Sequence, residues 1–85
     1  MRQYKTLLKG LLADQVKHYR ASKNITQEEM AENLHISARS YSDLERDVFC
    51  FSAVTLMFFL LALPEKDVTG LLQDFRVLVD QEEQT

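Results

Sequence analysis

The stretch TQEEMAENLHISARSYSDLER, from Thr26 to Arg46, decides how the rest of the chain must fold. It opens with a threonine three residues before Glu29, the spacing of a capping box, in which each side chain satisfies the other residue's backbone N–H. Glu28 and Glu29 also suit the positive end of a helix dipole. Met30, Ala31 and Leu34 then recur at the spacing of one helix face, and Ala31 is small enough to let another helix come close. His35, Ile36 and Ser37 form a turn, with Ile36 plugging it from inside and Ser37 placed to cap the next helix. That helix is predicted from Ala38 to Arg46. Its Tyr41 and Leu44 face inward, while Ala38, Arg39, Ser42 and Asp43 point outward.

Outward from this stretch the chain remains helical. Before it, Tyr4, Leu8, Leu11, Leu12, Val16 and Tyr19 recur at spacings of three and four, marking an amphipathic helix to about Ser22 with Lys5, Lys9 and Lys17 on its other face. Gly10 weakens the first turns of that helix. After it, Ser52 caps a fourth helix from Ala53 to Leu63. Leu56, Phe59, Leu60 and Leu63 form one stripe, and Val54, Phe58 and Leu61 form another, so this helix is expected to be buried on both sides. Pro64 stops it. A fifth helix, from about Glu65 to Gln81, repeats Val68, Leu71, Leu72, Phe75, Leu78 and Val79 on one face, and the tail from residue 82 to 85 is expected to fray. Its stripe is expected to cover Val54, Phe58 and Leu61 within the chain, with part of the Leu71, Phe75 and Leu78 surface shared with a second copy as a dimer interface.

Composition bounds the alternatives. With 85 residues, two glycines and one proline, the chain reads as a single all-α domain of five helices. The uncharged run from Val48 to Leu63 approaches the length of a membrane span. Ser52 divides it, however, leaving roughly 16 Å of helix at 1.5 Å per residue, so a buried core helix is expected. Lysines interrupt any signal-peptide core at the N-terminus, and the lone Cys50 needs no oxidising compartment. A cytoplasmic location is therefore the expectation. His18, His35 and Cys50 lack a further ligand at a metal-binding spacing, so no metal or other cofactor is expected. Nor is there a glycine-rich phosphate loop, a nucleophile with its base, or a pair of carboxylates in a plausible cleft, which argues against an enzyme. Charge is lopsided: residues 1–25 hold six Lys or Arg against one acid, and residues 26–85 hold four against twelve acids. Such asymmetry fits a nucleic-acid-binding end or merely solvated helix faces of opposite sign.

Two short helices across a tight turn, the second with an exposed polar face, have the geometry that lets a helix enter the major groove of DNA. Residues 17–63 resemble the phage-repressor (Cro/Xre-type) helix-turn-helix family, through Lys17 and Arg20, the TQEEMA string with Leu34, Ile36 and Ser37, then Tyr41, Leu44, Glu45 and Arg46, and finally Ser52, Thr55, Leu56 and Leu63. The resemblance implies a lambda-repressor-like fold and a sequence-specific transcriptional regulator, acting as a dimer on an inverted repeat. It implies that Gln27 bonds a phosphate, that Ser37 and Ser40 lie near phosphates, and that Ala38, Arg39, Ser42 and Asp43 approach base edges. Arg39 is the foremost of these, because a guanidinium can bond guanine O6 and N7 together. It also implies an ion pair between Arg20 and Glu45 that fixes the angle of the third helix.

The sequence departs from the family pattern in three places. His35 and Asp47 stand where glycine is usual, so His35 must accept a left-handed conformation and Asp47 sets an anion beside the phosphates. Asp43 sets another on the reading face. These departures, with the acidic balance, leave open a second reading in which the same fold serves as a dimerisation or protein-interaction adaptor.

Overall fold

The computed structural model describes residues 3–84 and contains five α-helices, with no strand among the described residues. They are α1 (Tyr4–Lys23), α2 (Gln27–Leu34), α3 (Ala38–Glu45), α4 (Ala53–Ala62) and α5 (Glu65–Glu83). No helix is long and apolar enough to cross a membrane among the described residues.

Helix starts obey local chemistry. The Thr26 hydroxyl accepts from the Glu29 N–H at 3.1 Å, and the Glu29 carboxylate accepts from the Thr26 N–H at 3.0 Å, completing the capping box. Ser37 accepts from the Ser40 N–H at 3.1 Å, and Ser52 accepts from the Thr55 N–H at 3.2 Å. Each cap satisfies a donor that has no partner within its own helix.

The ends of α1, α2 and α3 share one device. Asn24, His35 and Asp47 adopt left-handed backbone conformations, with φ of 54°, 60° and 63°. At each, two N–H groups fold back onto the last turn: Asn24 to Ala21 and Ile25 to Arg20, His35 to Glu32 and Ile36 to Ala31, Asp47 to Leu44 and Val48 to Asp43, at 2.9–3.3 Å. This is the Schellman pattern of carbonyl capping, with glycine's usual place held by Asn, His or Asp, residues that tolerate φ > 0 better than most. The next residue is in each case β-branched and apolar. Ile25 and Ile36 pack against the core.

That core is built from Val16 of α1, Met30, Ala31 and Leu34 of α2, Tyr41 of α3 and Phe59 of α4. The Tyr19 ring meets Phe59 edge-on at 6.0 Å, and Phe51 leans on the same ring at 5.8 Å. The inward residues expected for α2 and α3 are therefore the buried ones. Gly10 does not interrupt α1, which runs unbroken through it.

The outer half of the fold differs from expectation. Helix α5 lies against α1 rather than over the outer side of α4. Leu71 is buried, and Phe75 and Leu78 are half-buried, whereas Val54 and Leu61 remain 67% and 77% exposed. Phe58 is half-buried, its ring 4.3 Å from that of His35. Helix α4 is thus covered on one side only. The tail also differs, since α5 runs to Glu83 instead of fraying from residue 82. The Gln3 N–H donates to Glu82 at 3.2 Å and the Tyr4 hydroxyl to Glu83 at 3.0 Å, tying the end of α5 to the start of α1. The last residue of the expected frayed tail, Thr85, lies outside the described residues.

Candidate nucleic-acid interface

The Ser37 cap sets where α3 begins and so which side chains its first turn presents. Ser37, Ala38, Arg39 and Ser40 are all exposed. Ser37 and Ser40 bond one another through their hydroxyls at 2.9 Å, leaving a compact polar N-terminus. Arg39 extends from the first turn of α3 and forms no ion pair among the described residues.

The other two residues expected on this face are placed differently. Ser42 is half-buried, beside a groove between α1 and α3 that Gly10, Lys17, Gln27 and Arg46 also line. Asp43 is buried at 8% exposure, and Arg46, three residues on, donates from Nη2 to Asp43 Oδ1. The helical period would aim position 43 at solvent. Instead, α3 ends two residues later, the chain reverses so that Val48 bonds the Asp43 carbonyl, and the Arg46 side chain folds back over the carboxylate. Asp43 therefore neutralises Arg46 rather than facing outward as an isolated anion.

Behind the exposed face lies the anchor of α3. The Glu45 carboxylate, on a residue only 7% exposed, accepts from Arg20 Nε at 2.6 Å and from Arg20 Nη2 at 3.2 Å, a two-pronged pairing. Arg20 Nη1 also donates to the Ile25 carbonyl at 3.2 Å. Two further donors reach the same carboxylate: Gln27 Nε2 at 3.1 Å and the Tyr41 hydroxyl. One carboxylate thus joins the end of α1, the start of α2 and the middle of α3. Among the described residues, no buried side-chain nitrogen or oxygen lacks a hydrogen bond.

The electrostatics of this cluster arise from its geometry. Burial alone would raise the Glu45 pKa, but the hydrogen bonds from Arg20, Tyr41 and Gln27, with the Arg20 charge, outweigh it and hold the carboxyl below its ordinary value. Tyr41 is pushed up, first by burial and then by the adjoining carboxylate, so its hydroxyl keeps its proton. Arg20 is held further toward its charged form by its hydrogen bonds to Glu45, against the opposing effect of burial.

Two roles here are not read from the sequence. Gln27 bonds Glu45, an arrangement visible only once the start of α2 and the end of α3 are brought together in space. Tyr41 combines a core ring with a hydroxyl that completes the carboxylate's bonding, and helical spacing signals only the ring. The four-residue interval between Tyr41 and Glu45 is the available clue, since it places both on one face. Among the described residues, no group of three His, Cys, Asp or Glu side chains gathers where it could hold a metal ion.

Comparison with known families bears on the same region. The family model HTH_3, described as helix-turn-helix and comprising Cro/C1-type (Xre) domains, matches residues 16–66, which takes in the second half of α1, all of α2, α3 and α4, and the start of α5. The family is one of DNA-binding rather than catalytic domains. No curated protein and no solved structure matches the chain.

Proposed function

Because the chain belongs to the Cro/C1-type (Xre) helix-turn-helix family, we propose that it is a sequence-specific transcriptional regulator that binds double-stranded DNA as a homodimer, with α3 in the major groove. The observation that carries this reading is Arg39: an exposed arginine without an ion pair among the described residues, in the first turn of a helix whose angle is held from behind by Glu45. A guanidinium so placed can bond a guanine edge in two places. Ala38 beside it is small enough to let α3 approach the bases, and Ser42 reaches the same groove from the flank.

Gln27, Ser37 and Ser40 are the proposed phosphate contacts, grouped at the N-termini of α2 and α3, where helix dipoles favour an anion. Gln27 spends one amide N–H on Glu45 and keeps a second for phosphate. Asp43, paired with Arg46, is withdrawn from base contact in this reading and serves to hold Arg46 at the rim. One helix reads few base pairs, so paired half-sites a helical turn apart supply the remaining specificity. The protein works in the cytoplasm in this reading, and it requires neither metal nor cofactor.

The test is titration against genomic DNA fragments at several salt concentrations, with sequencing of the retained fragments. Enrichment of a short inverted repeat, with affinity falling as salt rises, supports the regulator. Retention that stays sequence-independent and is indifferent to Arg39→Ala supports the adaptor reading instead, which the acidic balance of residues 26–85 favours.

A further inference from the structure

Helices α1 and α5 lie antiparallel, since the start of α1 bonds the end of α5 through Gln3 with Glu82 and Tyr4 with Glu83. Between them, toward the start of α5, is a cleft of about 430 Å3, within the size range of small-molecule sites. Its floor is apolar, formed by buried Leu71 and half-buried Tyr19 and Leu63. Its rim is charged: Lys66, Asp67 and Asp74 line it from α5 and His18 from α1, all four exposed. None of them forms an ion pair among the described residues.

Helix geometry keeps these charges apart. Lys66 and Asp67 are neighbours in sequence, and adjacent helix positions do not face each other. Asp74 stands two turns further on, roughly 10 Å along the axis from Asp67. The interval is held open by Gly70, which also lines the cleft. A glycine inside a helix is destabilising relative to alanine, yet Gly70 has no positive φ and a Cβ there would meet no atom within 4 Å. Neither the backbone nor the packing of the chain calls for it. What the missing side chain leaves is room between Lys66 and Asp74.

The chemistry of the occupant follows by complement. Two carboxylates and one ammonium, set along an apolar floor, match a molecule with two cationic groups and one carboxylate on a short aliphatic chain. Lys66 and Asp67, side by side at one end, suit the carboxylate and α-ammonium of an amino acid, and Asp74 suits a cation at the tip of its side chain. An extended lysine or arginine side chain with a hydrogen bond at each end covers that interval, and its methylenes can rest on Leu71 and Tyr19. A simple diamine leaves Lys66 unanswered, and an amino acid with an apolar side chain leaves Asp74 so.

We propose that the cleft between α1 and α5 binds a free basic amino acid, its α-carbon end held at Lys66 and Asp67 and its side-chain cation at Asp74, with the chain lying over Gly70. No residue of α3 lines the cleft, so the site stands whether or not the chain selects a DNA sequence.

Titration of the full chain with L-lysine and L-arginine, followed by amide NMR at constant pH and ionic strength, tests it. Saturable shifts should gather at Tyr19, Lys66, Gly70 and Leu71. Half-saturation should move about threefold to fivefold higher for norleucine, which lacks the distal cation, and for putrescine, which lacks the carboxylate, the scale of a lost exposed ion pair. Asp74→Asn should weaken lysine binding by a similar factor. Gly70→Leu, which fills the cleft from an open position on the helix, should abolish binding with helical circular dichroism unchanged. Norleucine or putrescine binding as well as lysine, or either variant binding lysine as the wild type does, overturns the proposal, as do shifts that scatter over the surface or never saturate.

Discussion

The Tyr41 hydroxyl donates to the Glu45 carboxylate one turn further along α3, so the helix that carries the exposed Arg39 also carries its own internal anchor. Arg20 and Gln27 converge on the same two oxygens from α1 and α2. The tilt of α3 is therefore set by one carboxylate, and its loss has a larger effect than its size suggests.

Glu45→Ala strands a half-buried guanidinium and two polar side chains, and should destabilise the domain by about 2 kcal/mol or more, whereas Arg39→Ala should change stability by about 0.5 kcal/mol or less. Urea denaturation of both variants checks the contrast. Equal midpoints would remove the anchor role of Glu45. The two variants should also separate in binding, with Arg39→Ala losing DNA selection while folding normally.

Stability should fall at both ends of the pH scale. Glu45 has a depressed pKa in the folded state, so its contribution is fully present above the ordinary carboxyl value and is lost as pH falls through the folded value. Tyr41 has a raised pKa, so its contribution is present below the ordinary tyrosine value and is lost as pH rises through the folded value. Thermal unfolding from acid to alkaline pH should show that Glu45→Gln flattens the acid limb and Tyr41→Phe the alkaline limb. A variant whose profile parallels the wild type would count against the assignment of that limb.

Asp47→Gly should raise stability by about 1 kcal/mol, because it relieves a left-handed residue whose side chain forms no ion pair among the described residues. It also removes an anion near the proposed phosphate path, so DNA retention at fixed salt should increase. His35→Gly is the useful contrast. Its backbone relief, also about 1 kcal/mol, is offset by loss of the ring contact with Phe58, and its melting temperature should change little.

Gly70→Ala should stabilise by about 0.5–1 kcal/mol, since a methyl group there meets no atom within 4 Å and the helix loses a flexible residue. Gly10→Ala should do nearly as well, its methyl group making an ordinary 3.8 Å contact with an Asp47 oxygen. A fall in melting temperature for either would reveal a close approach at that helix surface.

The legible parts of the fold are those written within one or two helical turns. Thr26 with Glu29, Ser37 and Ser52 each specify a helix start through bonds to a residue three positions away, and the structure holds all three. Asp43 is misplaced by periodicity because periodicity assumes that the helix continues. The reversal at Asp47 brings Arg46 back over a position that an uninterrupted helix would expose. Helix α4 poses a different difficulty. With apolar residues on every side, its sequence does not distinguish the face that meets Val16 and Tyr41 in the core from the face left bare. The direction of α5 decides that, and it depends on long-range packing with α1.

The three glycine-free reversals constrain how this chain can change. Each occupies a fixed count of residues, and two of them end on an apolar plug, Ile25 or Ile36, so the connections act as counters of angular phase more than as tethers. One residue inserted between Leu34 and Ser37, with the start of α3 held in place, would turn every later side chain of α3 by about 100° about its axis, taking Tyr41 out of the core and into the half-buried position that Ser42 now holds. Substitution on the outward face can retune what the helix touches, but a change in the count would scramble which face is outward.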